Sequence, residues 1–508
     1  MNTPAMPQVW PTVIDMLADA AKHAPKHPAV VCGDKHLNYA EYRRCVIALA
    51  AELQGANIGT GNRVALLMGN SADIAVATFA VQAAGAQVVP LNPTYTAAEL
   101  LPILLDADIA LLIHDTGLEA SLTTGIDTMA VGIGGRDLTA PRLQQQPDLT
   151  RPDPQSLSTL QYTGGTTGVA KGVDLSHATV AVNIAQREAL LPTAATERVL
   201  AITPLFHVYA VAMGLYLAAN CRGTLYIVPK FNAASVLRDI EQQRITFLSA
   251  SPTIFQALLR DDGFAAADLS SLRVCSSGAA ALSEEVLRQW EDATGCAICE
   301  GYGQTEAGPV LTYNPLNGPR LPGTVGIAVP QTEIGIVDVE TGKIVLPQGE
   351  GGEIRARGPQ LMSRYRNRPE ETAQALRDGW LYTGDIGRIN DKGYLVICDR
   401  KKDMVVTAGY NVFPREIEEV LFAMPGVADA AVIGVPDPYR GEMLCAFVVC
   451  GSGDLNEDQV KAHLSDRLTK YKWPRDIRFI AELPKTAVGK TDKIKLRKMA
   501  STDPSVTA

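Results

Sequence analysis

The sequence predicts an α/β protein with a large N-terminal domain and a small C-terminal α+β domain. Three observations carry this. Strand-like and helix-like segments alternate over residues 28–115 and again over 197–302, the pattern of parallel sheets with crossover helices. Residues 323–398 turn β-rich, with Gly/Pro turns such as Pro347-Gln348-Gly349-Glu350-Gly351-Gly352. The charged run Asp399-Arg400-Lys401-Lys402-Asp403 then separates this stretch from a shorter α+β tract. At 508 residues the chain exceeds one hydrophobic core. The expected division is 1–398 (two α/β sheet subdomains and a β-rich one), a linker over 399–403, a C-terminal domain over 404–500 and a tail over 501–508.

In the first α/β tract, Val64-Ala65-Leu66-Leu67-Met68 is a short buried strand and Ser71 caps a helix over 72–83. Gln87-Val88-Val89-Pro90 is the next strand. Thr96 and Glu99 have capping-box spacing and open a helix that runs to Leu105. Ile109-Ala110-Leu111-Leu112-Ile113 follows as strand. Residues 116–156 are polar and irregular. In the second tract, strands are expected over 199–202, 223–228, 247–250 and 273–276. Beyond the linker, Pro414 marks a helix start, 432–435 and 446–449 read as strands, and 457–468 as helix.

Composition narrows the function. Apolar residues make up 46 % and charged residues 20 %, ordinary for a globular enzyme. A net charge of −9 argues against nucleic-acid binding and supplies no polybasic membrane patch. Residues 72–90 come closest to a transmembrane run, but Asp73, Gln82 and Gln87 interrupt it, so it reads as helix then strand. Met1-Asn2-Thr3-Pro4 lacks the basic and apolar regions of a signal peptide, and Ser505-Val506-Thr507-Ala508 is not a peroxisomal address. Nine scattered cysteines suit a reducing cytosol. A cytoplasmic protein is expected, with peripheral membrane attachment and a homodimer left open. Cys296 and Cys299 form a lone CxxC that reads as a buried strand, not a metal or redox site.

The densest chemistry lies in Tyr162-Thr163-Gly164-Gly165-Thr166-Thr167-Gly168-Val169-Ala170-Lys171. Backbone N–H groups, Thr hydroxyls and a Lys ammonium suit phosphate oxygens, and glycines allow close approach. It is not a Walker A loop, which needs adjacent Gly-Lys-Ser/Thr. Further segments follow in order: Thr203-Pro204-Leu205-Phe206-His207-Val208-Tyr209, Ser277-Gly278-Ala279-Ala280-Ala281-Leu282, Glu300-Gly301-Tyr302-Gly303-Gln304-Thr305-Glu306, Tyr382-Thr383-Gly384-Asp385, Asp399 to Asp403, and Pro484-Lys485-Thr486-Ala487-Val488-Gly489-Lys490. No nucleophile elbow appears, so hydrolase chemistry has no support.

In this order and spacing, the segments resemble the adenylate-forming superfamily over nearly the whole chain. Within it, the loop at 160–172, the segment Asp378 to Gly387 and the stretch Asp399 to Ile417 are similar to bacterial long-chain fatty-acyl-CoA ligases. The run Ser277-Gly278-Ala279-Ala280-Ala281 looks more like coumarate-type ligases. The resemblance implies ATP-dependent conversion of an apolar acid to its CoA thioester, with ATP, Mg²⁺ and coenzyme A required. The acid expected is a medium- to long-chain fatty acid; an aryl or alicyclic acid, or acyl-AMP loading of a carrier protein, are the alternatives. A luciferase-like oxidase and a non-catalytic nucleotide scaffold are the other classes weighed.

The resemblance also implies site residues. Thr163, Gly164, Gly165, Thr166, Thr167 and Lys171 would hold the ATP phosphates. Glu306 would be the Mg²⁺ carboxylate and Thr305 an α-phosphate partner. Tyr302 would offer a face to the adenine with Gly278, Ala279 and Ala280 close to the ring, Asp385 and Arg400 would take the ribose, and Glu300, Gly301, Gly303 and Lys402 would complete the ATP/AMP site. Lys490 is expected to catalyse adenylation, in preference to nearby Lys485 and Lys493. The C-terminal domain is expected to swing about the linker for the thioester step, with Ala408 and Gly409 lining the pantetheine path. His207, Tyr209, Ala210, Ala250, Ala280, Gly303, Ala307 and Val310 would line the acyl pocket, with His207 as a gate or carboxylate-orienting residue.

Overall fold

The computed structural model describes residues 4–115, 126–132, 135–140, 149–163, 170–407, 410–451, 455–486 and 490–502. It divides into two compact units. The first comprises residues 1–282, 286–333 and 356–381; the second comprises 283–285, 334–355 and 382–508.

Two sheets organise the first unit. In the nine-stranded sheet, Ile298–Tyr302, Val274–Ser277, Phe247–Ala250, Arg198–Ala201, Thr224–Ile227 and Pro28–Cys32 lie side by side in that order, all parallel. In the seven-stranded sheet, the parallel strands Leu157–Thr163, Gln87–Leu91, Arg63–Leu67, Leu111–Asp115 and Thr128–Val131 run in that order. Lys171–Ser176 then pairs antiparallel with Leu157–Thr163, and the two-residue strand Arg364–Tyr365 pairs with Lys171–Ser176. The two expected α/β sheets are therefore present. The strand Pro28–Cys32, however, belongs to the second sheet, beside Thr224–Ile227. Such a pairing spans nearly two hundred residues, and local pattern carries no trace of it.

Local signals set the element boundaries well. Ser71 accepts a hydrogen bond from the Ile74 N–H and starts Ala72–Ala83. Every residue of that helix is buried, which explains its apolar character on all sides. The strand Gln87–Leu91 after it is likewise wholly buried, so residues 72–90 are core. Thr96 and Glu99 close their capping box at Ala97–Ala107. Among the described residues no helix is long and apolar enough to cross a membrane. Cys299 is buried in the strand Ile298–Tyr302 and Cys296 is buried just before it, as the sequence suggested.

In the second unit, a five-stranded sheet contains Gly441–Cys450 between Val427–Asp437 and Val405–Thr407, with Tyr410–Val412 beyond and Asp476–Phe479 also pairing with Gly441–Cys450. Helix Pro414–Phe422 begins at the expected proline. Helix Glu457–Ser465 ends three residues before the expected limit of 468. The hairpin of Trp380–Ile389 with Leu395–Arg400 enters this unit from residue 382 onward.

Candidate active site

In a parallel sheet, the loops that follow successive strands emerge along one edge, where α/β proteins bind ligands. Here the neighbouring strands Arg198–Ala201, Phe247–Ala250, Val274–Ser277 and Ile298–Tyr302 lead into residues 202–207, 251, 278–282 and 303–306. These are the segments the motifs singled out. Backbone geometry there excludes larger residues. A Cβ on Gly303 would lie 1.9 Å from the Pro309 carbonyl oxygen, and one on Gly301 would lie 2.5 Å from the Tyr313 ring. A Cβ on Gly278 would lie 2.9 Å from the Tyr209 ring. Ala279 adopts a left-handed φ of 68°, a conformation uncommon for any residue with a Cβ.

Three polar atoms in or beside these loops, Thr203 Oγ1, Ser277 Oγ and Gln304 Nε2, are buried without a hydrogen-bond partner. Unpaired buried groups are costly, and their gathering on the ligand-binding edge is a reason to place polar substrate there. Two residues outside the expected site set brace the same edge. Asn70 accepts from the Leu205 N–H at 2.7 Å and donates to the Thr203 and Val228 carbonyls. Gln161 donates to the Phe206 carbonyl at 3.0 Å. His207 is half-buried, and its Nδ1 accepts from the Tyr209 N–H at 3.3 Å. A π-helical turn, Val211–Tyr216, follows soon after.

Of the expected acyl-pocket residues, Ala250 and Ala307 are fully buried and Tyr209, Ala210 and Val310 nearly so; Ala280 is exposed. The Tyr209 hydroxyl meets Ser276 Oγ at 3.2 Å, and Ser276 donates to Ser249 at 3.0 Å. A buried line of hydroxyls thus runs across three strands or their loops. The described side-chain bond of Glu300 is structural: its carboxylate accepts from the Leu282 N–H at 3.0 Å and ties down the end of the 278–282 loop.

The seven-stranded sheet contributes a charged corner. Lys171 opens its strand opposite Thr163. Residues 164–169, which include Gly164, Gly165, Thr166 and Thr167, lie outside the described residues. The Lys171 ammonium stands 5.1 Å from the centre of the Tyr365 ring. The Tyr365 hydroxyl donates to Glu306 Oε1 at 2.8 Å. Glu306 is buried on the short turn Thr305–Ala307, and Thr305 beside it is half-buried. Burial, followed by the Glu306 charge, pushes the Tyr365 phenol far above the usual range, so it stays a donor. Among the described residues no group of three or more His, Cys, Asp or Glu side chains could hold a metal. A lone carboxylate, completed by phosphate oxygens, is instead the donor set that suits Mg²⁺.

The second unit carries its own set. Asp385 is buried in Trp380–Ile389, opposite Arg400, whose Nε lies 3.0 Å from its carboxylate. Lys402 is exposed two residues further on. Asp399 is buried and accepts from the N–H groups of Arg400 at 2.7 Å and Arg415 at 2.9 Å, the latter at the start of Pro414–Phe422. The Thr486 N–H donates to the Lys490 carbonyl at 2.7 Å and the Lys490 N–H donates to Thr486 Oγ1 at 3.2 Å; residues 487–489 lie outside the described residues. Its two sequence rivals are committed elsewhere: Lys485 pairs with Asp429 at 2.7 Å and Lys493 with Glu418 at 2.9 Å. Ala408 and Gly409 lie outside the described residues.

The family model for AMP-binding enzymes matches residues 17–366, and that for the AMP-binding enzyme C-terminal domain matches 416–490. A long-chain-fatty-acid–CoA ligase of Bacillus subtilis (strain 168) is 35 % identical, over 94 % of this chain and 93 % of its own. A feruloyl-CoA synthase of Amycolatopsis sp is 36 % identical, over 94 % of this chain and 97 % of its own. The crystal structure of ATP-bound MatB from Rhodopseudomonas palustris superposes with a TM-score of 0.89 at 31 % identity, covering 96 % of this chain and 99 % of that one.

Proposed function

This chain belongs to the family of AMP-binding enzymes and is an ATP-dependent acyl-CoA ligase, and from that premise we propose that it activates an apolar, medium- to long-chain fatty acid. The observation that carries the site assignment is the charged corner, where Tyr365 meets Lys171 through its ring and Glu306 through its hydroxyl.

In the first step the acid's carboxylate attacks the α-phosphorus of ATP; the bond to the β-phosphate oxygen breaks and pyrophosphate leaves. Little covalent work falls to the protein, which must position two anions and neutralise growing charge. Thr163, the loop after it and Lys171 would hold the β- and γ-phosphates. Glu306 would hold Mg²⁺, which supplies charge neutralisation on the phosphates. Thr305 would donate to the α-phosphate, and Asp385 and Arg400 would take the ribose. Lys490 would bridge the acid's carboxylate and the α-phosphate. For the second step the C-terminal lobe would turn about residues 399–403 and guide the CoA thiol past Ala408 and Gly409. Its sulfur attacks the acyl carbonyl, and AMP leaves.

The acid's identity rests on two competing supports. Names of relatives at about a third identity favour a long alkyl chain. The buried hydroxyl line of Tyr209, Ser276 and Ser249, with the methyl groups of Ala279 to Ala281, favours a second reading: a compact ring acid with a polar substituent. The feruloyl-CoA synthase relative is consistent with that reading. Pyrophosphate release, measured over alkyl acids of graded length and hydroxylated ring acids, decides between them. Failure to convert ATP to AMP with any acid defeats both.

A further inference from the structure

We infer that Tyr365 is a positioning residue that orients the Glu306 carboxylate through its hydroxyl and seats the Lys171 ammonium on its ring, coupling metal binding to phosphate binding through one side chain. The inference rests on the function proposed above, which makes Glu306 a metal ligand and Lys171 a phosphate ligand.

Tyr365 is held as a fixed point. Its two-residue strand pairs with Asp174 and Val173, beside the start of the Lys171 strand. The Ser363 N–H donates to the Asp174 carbonyl at 3.0 Å, and the Arg366 N–H to the Gly172 carbonyl at 2.8 Å. Arg364 Nε lies 2.9 Å from the buried Asp174 carboxylate. On the other side the Met362 N–H donates to the Glu306 carbonyl at 2.8 Å. Residues 362–366 thus join the Lys171 strand to the Glu306 turn by backbone bonds, and Tyr365 stands between them.

Each half of the side chain has one task. The hydroxyl's bond to Glu306 Oε1 is charge-assisted, so it is strong and directional. It fixes the rotation of the carboxylate and occupies one of its oxygens. The ring lies within cation–π range of Lys171 Nζ. A flexible four-carbon stem thereby gains a preferred resting place. A phenylalanine keeps the second task and loses the first, and a leucine loses both.

That asymmetry is the test. The full-length chain is compared with its Tyr365→Phe and Tyr365→Leu variants, using Mn²⁺ as probe, with α,β-methylene-ATP present, read by electron paramagnetic resonance. Nucleotide binding without metal is read by calorimetry in chelator. Tyr365→Phe is expected to raise the Mn²⁺ Kd about tenfold, the scale of one lost hydrogen bond to a charged group. Its metal-free nucleotide affinity stays that of wild type. Tyr365→Leu weakens both, the metal-free nucleotide by about threefold. In a Glu306→Gln background, Tyr365→Phe adds nothing further to the metal defect. A purely structural role would lower Tm without separating metal from nucleotide. Wild-type Mn²⁺ affinity in Tyr365→Phe, or additive losses in the double variant, overturns the inference while the proposed function stands. Failure of the wild-type chain itself to bind Mn²⁺ with nucleotide overturns the function and this inference together.

Discussion

Lys171 and Lys490 carry the same charge in opposite settings. Lys171 opens a strand, faces Thr163 across a ladder and rests on the Tyr365 ring. Lys490 lies outside any strand or helix, bonded through its backbone to Thr486. The Lys171 strand pairs with Leu157–Thr163 on one side and, at Val173 and Asp174, with Arg364–Tyr365 on the other, whereas near Lys490 the lysines Lys485 and Lys493 pair with Asp429 and Glu418. A charge that must wait for ATP is built into a sheet. On the proposed function, a charge needed in only one half-reaction is carried outside strand and helix. The contrast predicts that damage to the first unit's corner harms ground-state binding, while damage at Lys490 spares binding and removes chemistry.

The largest test is Lys490→Ala. Loss of one transition-state cation should slow pyrophosphate exchange by about 10³-fold, with ATP affinity and thioester formation from supplied acyl-adenylate unchanged. Equal loss of both half-reactions would erase the distinction between the two lysines.

Next is the acid stability of the Lys171 setting. His177 begins the helix His177–Leu190 directly after the Lys171 strand; it is fully buried, and neither ring nitrogen has a partner. Burial lowers its pKa from 6.5 to about 4. Between those values the unfolded chain binds a proton that the folded chain does not, so stability is fully present above pH 6.5 and is lost as pH falls toward 4. The loss amounts to about 3 kcal/mol at the acid end. His177→Phe should flatten the Tm profile across that window; an unchanged profile would assign the acid sensitivity elsewhere.

Glu306→Gln follows, with an expected loss of about 10²-fold in pyrophosphate exchange. Its diagnostic is partial recovery at high Mg²⁺, which Lys490→Ala should not show. If raised Mg²⁺ rescues both variants alike, the fixed and travelling charges are not separable.

Much of this was legible in the sequence because it is local. Ser71, the Thr96–Glu99 box and Pro414 stand at the starts of their helices, since a cap acts within one turn. The glycines at 301 and 303 were visible as a motif, and the structure supplies their reason in the Tyr313 ring and the Pro309 carbonyl. What stayed hidden depends on distant pairing. Tyr365 sits in a two-residue strand between charged neighbours, too short for any periodicity, and its role exists only because residues 173 and 306 are beside it. Asn70 and Gln161 brace the 203–206 loop from far along the chain. Strand alternation likewise does not reveal that the Glu300 carboxylate reaches the Leu282 N–H.

The smallest effect expected comes from Asp399→Asn, and it bears on where the C-terminal lobe turns. Asp399 lies in the strand Leu395–Arg400, yet its side chain reaches across to the Arg415 N–H at the head of Pro414–Phe422. A carboxylate at a helix N-terminus satisfies an orphan donor and complements the dipole. Burial raises its pKa, offset in part by Lys493 and the two N–H bonds. If the lobe turns about residues 400–403, this bond must break, so it is a latch for the pose seen here. An asparagine keeps one accepting oxygen and turns an NH₂ toward the other donor. Stability should fall by about 1 kcal/mol, read as a lowered Tm. The ratio of the two half-reaction rates should shift severalfold, because the latch contributes to one pose only. A change in Tm with no change in that ratio would make Asp399 a helix cap and move the pivot to another peptide.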